Sequence, residues 1–255
     1  MQAKEFGKEH NRSILLIPGN MMSWRQFKNV IPILEKDFHV IAVSTDGYDE
    51  KTEFTTAERS AESIERYIAD NLDPHIDLVF GESFGSATAA MLFRRQKVKI
   101  DSLIMNGPQY MELGVFTGLI KSMIPKNQFR LVQKIKSGRK SGKMPLMLKL
   151  YTRADDKTML KMFDAMPDNI TLKTLQNCMN DALKLYKTID EFEPDPNAKV
   201  SIWHGAKEPN MKKALIKLRR AFPAAEDKPF KGMGHGDIIG HPKLMAKEIK
   251  RFMER

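Results

Sequence analysis

A serine flanked by glycines follows a short apolar run of the chain. The motif is Gly81-Glu82-Ser83-Phe84-Gly85, between the run Asp77–Phe80 and the small residues Ser86–Ala90. This is the pattern G-x-S-x-G between a strand and a helix, where a sharp turn lifts the serine Oγ above the end of the strand. The N-terminus of the following helix can stabilise negative charge beside it. We therefore predict a nucleophile at Ser83 rather than an ordinary turn serine.

Alternating strands and helices must position this serine. Six aliphatic or β-branched runs predict strands, and the first five are nearly continuous in apolar character, which is typical of parallel strands covered on both faces. They are Ser13–Ile17, Phe38–Ser44, Asp77–Phe80, Ser102–Asn106, Lys199–Trp203 and Asp227–Phe230. Helical patterns cover Trp24–Lys36, Thr55–Asn71, Phe84–Lys97, Asn210–Phe222 and His241–Met253. The alternation predicts an α/β fold with a mostly parallel, doubly wound sheet, after a disordered start.

One interval interrupts the alternation. Residues 109–197 contain helical patterns, many methionines and no convincing strand, and they end in the proline-containing linker Glu193–Asn197. We predict a helical insertion here, so that residues 1–108 and 198–255 form the core. Methionine fills irregular apolar space, and we interpret most of these methionines as the interior of the insertion.

On these residues the sequence resembles the α/β-hydrolase family over nearly the whole chain. The segment Ser13–Trp24 is similar to the family's first strand and oxyanion loop, although Pro18 stands where the family commonly has histidine. The resemblance implies an α/β-hydrolase fold in which residues 109–197 are a cap over an acyl pocket. It also implies an oxyanion hole made by the backbone N–H of Asn20, or alternatively Met21, together with that of Phe84.

A serine hydroxyl needs a base to accept its proton, and histidine is the usual one near neutral pH. Two of the histidines fall at the beginnings of strands, which is the wrong edge of a parallel sheet for a site. One lies near the start of the chain, one begins the last helix and one is interpreted as packed at a strand end. These five are His39, His75, His10, His241 and His204. His235 remains, in the loop Gly232–Asp237 after the last strand, where the family has its catalytic histidine.

The third group must orient the imidazole and stabilise its charge. In the family it commonly follows the penultimate strand as Gly-x-x-Asp, and this chain has Gly205-Ala206-Lys207-Glu208 at that point. The resemblance therefore implies Glu208 as the acid. A carboxylate that only stabilises a helix N-terminus is the alternative, and Asp237 and Glu112 are the other candidate acids.

Composition restricts the class of protein. The chain has 255 residues, 42% hydrophobic and 29% charged, which is a globular balance. No apolar run approaches the roughly 20 residues of a membrane span, and the first residues lack the apolar core of a signal peptide, so we expect a cytoplasmic protein. The single Cys178 excludes an internal disulfide and is expected to be a buried thiol. No metal-ligand spacing or nucleotide-binding motif is apparent, so we expect no cofactor and no metal.

The net charge of +10 comes from cations spread over the whole chain. The densest run, residues 134–143, has no aromatic residue that could stack on bases. We interpret it as a solvated loop rather than a nucleic-acid site, which leaves weak peripheral contact with anionic lipid as its other interpretation. The oligomeric state is left open by the sequence.

Together these features predict a serine hydrolase that cleaves small-molecule esters or thioesters of apolar, short-to-medium acyl groups through an acyl-enzyme. A monoacylglycerol or lysophospholipid lipase is one alternative, with the basic run near the head groups. Hydrolases of C–C bonds and acyltransferases share the same apparatus. A ligand receptor of this fold with slow turnover is the alternative from another class.

Overall fold

A seven-stranded sheet forms the centre of the computed structural model, which describes residues 1–108, 117–143, 163–191, 199–208 and 211–255. The strands are β1 Gln2–Phe6, β2 Ser13–Ile17, β3 His39–Ser44, β4 His75–Glu82, β5 Lys99–Asn106, β6 Lys199–Gly205 and β7 Glu226–Phe230. Their order in the sheet is β1-β3-β2-β4-β5-β6-β7. β1 pairs antiparallel with β3, and the other neighbours are parallel. The predicted α/β fold with a mostly parallel sheet is confirmed.

Helices cover both faces of the sheet. They are α1 Ile31–Leu34, α2 Ala57–Asn71, α3 Gly85–Arg95, α4 Thr117–Ser141, α5 Leu172–Thr188, α6 Met211–Ala221 and α7 Pro242–Met253. Short 3-10 turns occur at Trp24–Phe27, Phe163–Ala165, Ile189–Glu191 and Asp237–Gly240. In the described ranges, no helix has the length and apolar character needed to cross a membrane.

The core has one apolar layer on each face of the sheet. Alternate residues of β2 point to opposite faces, so Leu15 and Ile17 pack with α2, α3 and α6, whereas Ile14 and Leu16 pack with α1 and α7. Burial on both sides explains the continuous apolar run of this strand. The last strand, β7, contains Pro229 and lies at the edge of the sheet, where a missing N–H is tolerated.

Two predictions near the N-terminus are wrong. The predicted helix Trp24–Lys36 is a 3-10 turn at Trp24–Phe27 and the single-turn helix α1. Pro32 occupies the first turn of α1, and because proline cannot continue a helix that precedes it, the two pieces stay separate. The predicted disordered start is strand β1, which pairs with β3 along its whole length.

The basic run 134–143 was predicted to be a loop, and this is wrong. Its first eight residues are the last turns of α4, and two residues follow the helix. Val132, Ile135 and Gly138 recur every three residues and are buried, so the run has a helical apolar face. Its Lys136 and Arg139 side chains donate hydrogen bonds to Asp168 at the surface.

Within residues 109–197, the described part contains α4, α5 and short turns, and no strand. The two helices pack together and against the segment after β3, which creates a third apolar cluster. Its buried members are Tyr48, Phe54, Val132, Ile135, Met166, Ile170, Leu175 and Cys178. The predicted boundaries of the insertion and the linker Glu193–Asn197 lie outside the described residues.

Candidate active site

Ser83 lies on a tight turn between β4 and α3. Its φ of 51° is in the left-handed region, a strained conformation for serine that this turn imposes. The turn brings backbones too close for side chains, since a Cβ on Gly81 would lie 2.7 Å from the Gly85 carbonyl oxygen and one on Gly85 would lie 2.4 Å from that of Pro18. The Ser83 N–H donates to the Asn106 carbonyl at 2.7 Å. The hydroxyl therefore stands at the carboxyl edge of the sheet.

His235 reaches this hydroxyl from the loop after β7. Its Nε2 lies 2.9 Å from Ser83 Oγ, and its Nδ1 lies 2.6 Å from Glu208 Oε1. With the carboxylate at Nδ1, the neutral ring carries its proton there and turns the Nε2 lone pair to the serine. Burial disfavours the imidazolium, but the hydrogen bond and charge of Glu208 outweigh it, so the pKa of His235 is raised above its ordinary value.

Glu208 lies in the turn after β6, where its N–H donates to the Gly205 carbonyl at 3.0 Å. Its side chain is only 5% exposed. The candidate Asp237 is engaged elsewhere, because its Oδ2 accepts the Gly234 N–H at 2.7 Å and so supports the histidine loop. The other candidate, Glu112, lies outside the described residues. The structure thus brings Ser83, His235 and Glu208 together in one hydrogen-bonded chain.

The loop after β2 passes directly over Ser83. A Cβ on Gly19 would lie 3.4 Å from the Cβ of Ser83, and the Gly19 N–H is held by Gln26 Oε1 at 2.8 Å. Within the described residues, the backbone N–H groups of Asn20 and Phe84 donate to no protein acceptor. Both predicted donors thus have no acceptor in the described part of the chain, and Phe84 directly follows Ser83. Met21, the alternative donor, has a left-handed φ of 64°.

Two further residues of this site were not predicted from the sequence. Gly107, directly after β5, has a φ of 54°, and a Cβ there would lie 2.9 Å from the His235 ring, so its missing side chain leaves room for the imidazole. Glu82, read only as a variable position of the motif, is 2% exposed and accepts a hydrogen bond from the Asn106 side chain. A glycine and a charged residue at the ends of apolar strands were the available signals.

The Glu82 carboxyl lies under the histidine loop. Its Oε1 would lie 3.2 Å from a Cβ on Gly236, the neighbour of His235. Burial raises the pKa of Glu82 to about 7, although the Asn106 hydrogen bond and the His235 charge pull it down, while the Glu208 charge adds to the rise. The site therefore contains, in addition to Glu208, a buried carboxyl whose pKa lies near neutral.

The other histidines lie away from Ser83 or have their ring nitrogens engaged. His39 and His75 start β3 and β4, at the opposite edge of the sheet, and bond Glu5 and Asp101 at 2.8 Å each. His204 is buried, with Nδ1 facing the Gly205 carbonyl and Nε2 facing Asp227. The N-terminal edge also has a cleft of about 640 Å³ lined mainly by polar residues. That cleft lies at the wrong end of β4 to serve Ser83.

A group of three potential metal ligands lies beside this cleft. The ligand atoms of His75, Asp77 and Asp101 lie within 4.8 Å of one another. The same groups are used by the protein, since Ser13 donates twice to Asp77 and Lys99 pairs with Asp101 at 3.3 Å. The three side chains are close because they lie near the starts of the neighbouring strands β4 and β5, and they are bonded to protein groups there.

Comparisons with known proteins agree with the fold. Residues 12–242 match the alpha/beta hydrolase fold family. An alpha/beta hydrolase family protein from Desulfitobacterium hafniense superposes with a TM-score of 0.77 at 17% identity, covering 99% of this chain and 100% of that one. A carboxylesterase structure from Nitrososphaera gargenis gives 0.73 at 16% identity, covering 99% and 93%. The enol-lactonase from Burkholderia xenovorans LB400 gives 0.73 at 13%, covering 100% and 96%. No curated protein sequence matches the chain.

Proposed function

Because the chain belongs to the alpha/beta hydrolase fold family, we propose that it is a serine hydrolase of carboxylic esters or thioesters with apolar, short-to-medium acyl groups. The observation that carries the proposal is the chain of two hydrogen bonds from Ser83 Oγ through His235 to Glu208 Oε1. A serine hydroxyl, an imidazole and a carboxylate in this order are the parts that acyl transfer to serine requires.

In the proposed reaction, Ser83 Oγ attacks the carbonyl carbon of the substrate while His235 Nε2 takes the hydroxyl proton. The imidazolium is stabilised by the Glu208 carboxylate. When the tetrahedral intermediate collapses, the bond to the leaving oxygen or sulfur breaks, and His235 returns its proton to that atom. Water then attacks the acyl-enzyme with His235 again as base, which releases the acid and restores the Ser83 hydroxyl.

The negative charge of the intermediate needs donors on the carbonyl oxygen. The backbone N–H groups of Asn20 and Phe84 are the proposed donors. Phe84 directly follows Ser83, and Asn20 follows Gly19, which lies against Ser83. Donors of this kind contribute about 3 to 4 kcal/mol each to transition-state stabilisation in known enzymes. Because α3 begins at Gly85, its N-terminal dipole adds to the same field.

The preference for an apolar acyl group follows from the surroundings of the serine. Met21 and Phe84 are partly buried and pack on the third apolar cluster, together with Phe129 and Phe163. An acyl chain bound here would exchange water for apolar contacts at roughly 25 cal/mol for each Å² buried. A charged acyl group would lose its hydration against these apolar side chains, which offer it no partner.

A lysophospholipid or monoacylglycerol substrate is the second candidate, favoured by the charge of α4. The stretch 117–143 has no acidic residue and eight cations, namely Lys121, Lys126, Arg130, Lys134, Lys136, Arg139, Lys140 and Lys143. Such a surface attracts anionic lipid head groups, an attraction that salt screens. A preference for long acyl chains presented on anionic vesicles, lost at high salt, would favour this candidate over the first.

The first test compares hydrolysis of p-nitrophenyl esters of increasing chain length by the wild-type protein, Ser83→Ala and a control, Ser63→Ala. Ser63 lies on α2, and its hydroxyl donates to Asp46 at 2.8 Å. We expect turnover by the wild type and the control, loss in Ser83→Ala, and an optimum at short-to-medium chains. A fluorophosphonate should label the wild type at Ser83. Activity retained in Ser83→Ala would contradict the proposal, and a folded wild type that neither turns over nor labels would favour a receptor.

A further inference from the structure

The segment between β3 and α2 connects helix α5 with both loops that carry the proposed oxyanion donors. Residues 48–54 form this bridging segment, whose two end residues, Tyr48 and Phe54, are each 1% exposed. Both belong to the third apolar cluster, together with Leu175 and Cys178 of α5. The segment therefore lies between helix α5 and the residues that flank Ser83.

On one side, the bridging segment is bound to α5. The Phe54 backbone donates to Thr174 Oγ1 at 3.3 Å and accepts from Asn177 Nδ2 at 2.8 Å. Just beyond the segment, the Ala57 N–H donates to Asp181 Oδ2 at 2.7 Å. These contacts follow α5 over two turns, so the helix holds the segment at several points.

On the other side, the segment contacts the nucleophile turn and the oxyanion loop. The Phe54 ring packs edge-on against Phe84, with centroids 5.2 Å apart. The Tyr48 hydroxyl forms a short hydrogen bond with Asn20 Oδ1, and the Met21 backbone N–H faces the same hydroxyl. Thus Asn20 and Met21, the two candidate oxyanion donors on this loop, both contact Tyr48.

The Tyr48 hydroxyl has one proton to give. Burial raises the pKa of Tyr48 well above its ordinary value, so the proton stays on the phenol at neutral pH. The Asn20 side-chain oxygen can only accept, so it accepts the hydrogen bond that this proton makes. The Cys178 Sγ, 3.1 Å from the same oxygen, is then the donor of the second contact. A single buried hydroxyl thereby joins α5 to the oxyanion loop.

We propose that Tyr48 is a positioning residue, which holds the oxyanion loop against Ser83 and sets the place of the Asn20 N–H by tying the loop to α5. The strained φ of Met21 supports this role, because a left-handed residue persists only where its surroundings fix it. Without the hydroxyl, Asn20 Oδ1 loses its buried partner and the loop loses its fastening. The proposal rests on the proposed serine hydrolase function.

The test compares Tyr48→Phe with a matched control, Tyr67→Phe. Tyr67 also donates its hydroxyl to a side-chain oxygen, that of Glu5 at 2.7 Å, but at the β1 edge of the sheet. We expect Tyr48→Phe to lower kcat for a p-nitrophenyl ester about tenfold with KM within about twofold, because the oxyanion forms only after binding. Its affinity for an alkyl trifluoromethyl ketone, whose serine adduct carries an oxyanion, should fall in parallel. The control should keep all three values.

A double-mutant cycle tests the route of the effect. Asn20→Ala keeps the backbone N–H and removes the group that Tyr48 holds, so it should lower kcat to a similar degree. The double variant should be no worse than either single one, since both remove the same contact. The end point of fluorophosphonate labelling gives the active fraction of each variant, which separates misfolding from a slower reaction.

Each outcome has one meaning. A kcat of Tyr48→Phe within about twofold of the wild type, a rise in KM alone, or additive effects in the cycle would overturn the positioning role and leave the hydrolase proposal standing. A wild type that fails to label at Ser83 would overturn the function and this proposal with it. Loss of kcat and of ketone affinity together, with full labelling, supports the proposal.

Discussion

Two histidine–carboxylate pairs lie at opposite ends of the sheet strands, and of these two only the pair at the carboxyl ends faces a serine hydroxyl. At the carboxyl edge, His235 meets a Glu208 side chain that is 5% exposed, and its second nitrogen faces Ser83 Oγ. At the amino edge, His75 meets Asp101, and both side chains are near 40% exposed, at 39% and 43%. A hydrogen bond between a histidine and a carboxylate therefore does not by itself mark the candidate active site. A buried acid and a hydroxyl at the second nitrogen are what distinguish the carboxyl edge.

The largest test of this comparison removes the histidine from each pair. We expect His235→Ala to lose about 10⁴-fold or more in kcat/KM, because no other base faces the hydroxyl in the described residues. His75→Ala should keep ester hydrolysis within about twofold. Ester hydrolysis is measured at one pH for both. Equal losses would show that the amino edge supports activity and would break the comparison.

The next test removes only the charge of each acid. Glu208→Gln keeps the size of the side chain but no longer stabilises the imidazolium, and we expect a loss of roughly 10² to 10⁴-fold in kcat. It should also lower the pKa that governs the acid limb of the kcat/KM profile, because the pKa of His235 is raised by Glu208. Asp101→Asn should alter neither quantity. An unchanged acid limb in Glu208→Gln would assign the orienting role to another group.

The smallest expected effect concerns the buried Glu82 beneath the carboxyl-edge pair. Burial raises its pKa to about 7 from an ordinary 4.5, so the folded protein keeps a proton that the unfolded chain releases between these values. Stability therefore falls as the pH rises through this window and stays lowered above it. Glu82→Gln, which is neutral at every pH, should raise the free energy of unfolding near pH 8 by up to about 3 kcal/mol and have little effect near pH 4.

Glu9→Gln is the control for that experiment, because the Glu9 side chain is 75% exposed. Urea unfolding at several pH values gives the comparison. A pH-independent difference between Glu82→Gln and the wild type would contradict a titration of Glu82 in this range.

The sequence predicted those parts of the site that a local pattern encodes. The G-x-S-x-G turn, the loop of His235 and the Gly-x-x-Glu turn are each contiguous, and the alternation of strands and helices brings their strand ends to one edge. Their catalytic roles remain predictions. The acidic position departs from the commoner aspartate, yet the longer side chain still reaches Nδ1.

What the sequence did not predict depends on distant contacts. Gly107 lies against the His235 ring, and Tyr48 contacts Cys178 of α5. Both contacts join residues far apart in the chain, so no local sequence pattern predicts them. The start of the chain was missed since β1 is stabilised by pairing with β3 rather than by its own composition. Likewise, the apolar pattern predicted one continuous helix, but Pro32 interrupts it after Phe27.

The contacts of the bridging segment also bear on the order in which the chain folds. Tyr48 and Cys178 are 130 residues apart in sequence, and Ser83 and His235 are 152 apart. The sheet neighbours β4 and β5, in contrast, pair across about one helix of chain. Because closing long loops costs more conformational entropy, we expect these long-range contacts to form after the central strands have paired. We therefore expect the hydrogen bond between Ser83 and His235 to form at the end of folding, so that recovery of the proposed hydrolysis would report a completely assembled chain.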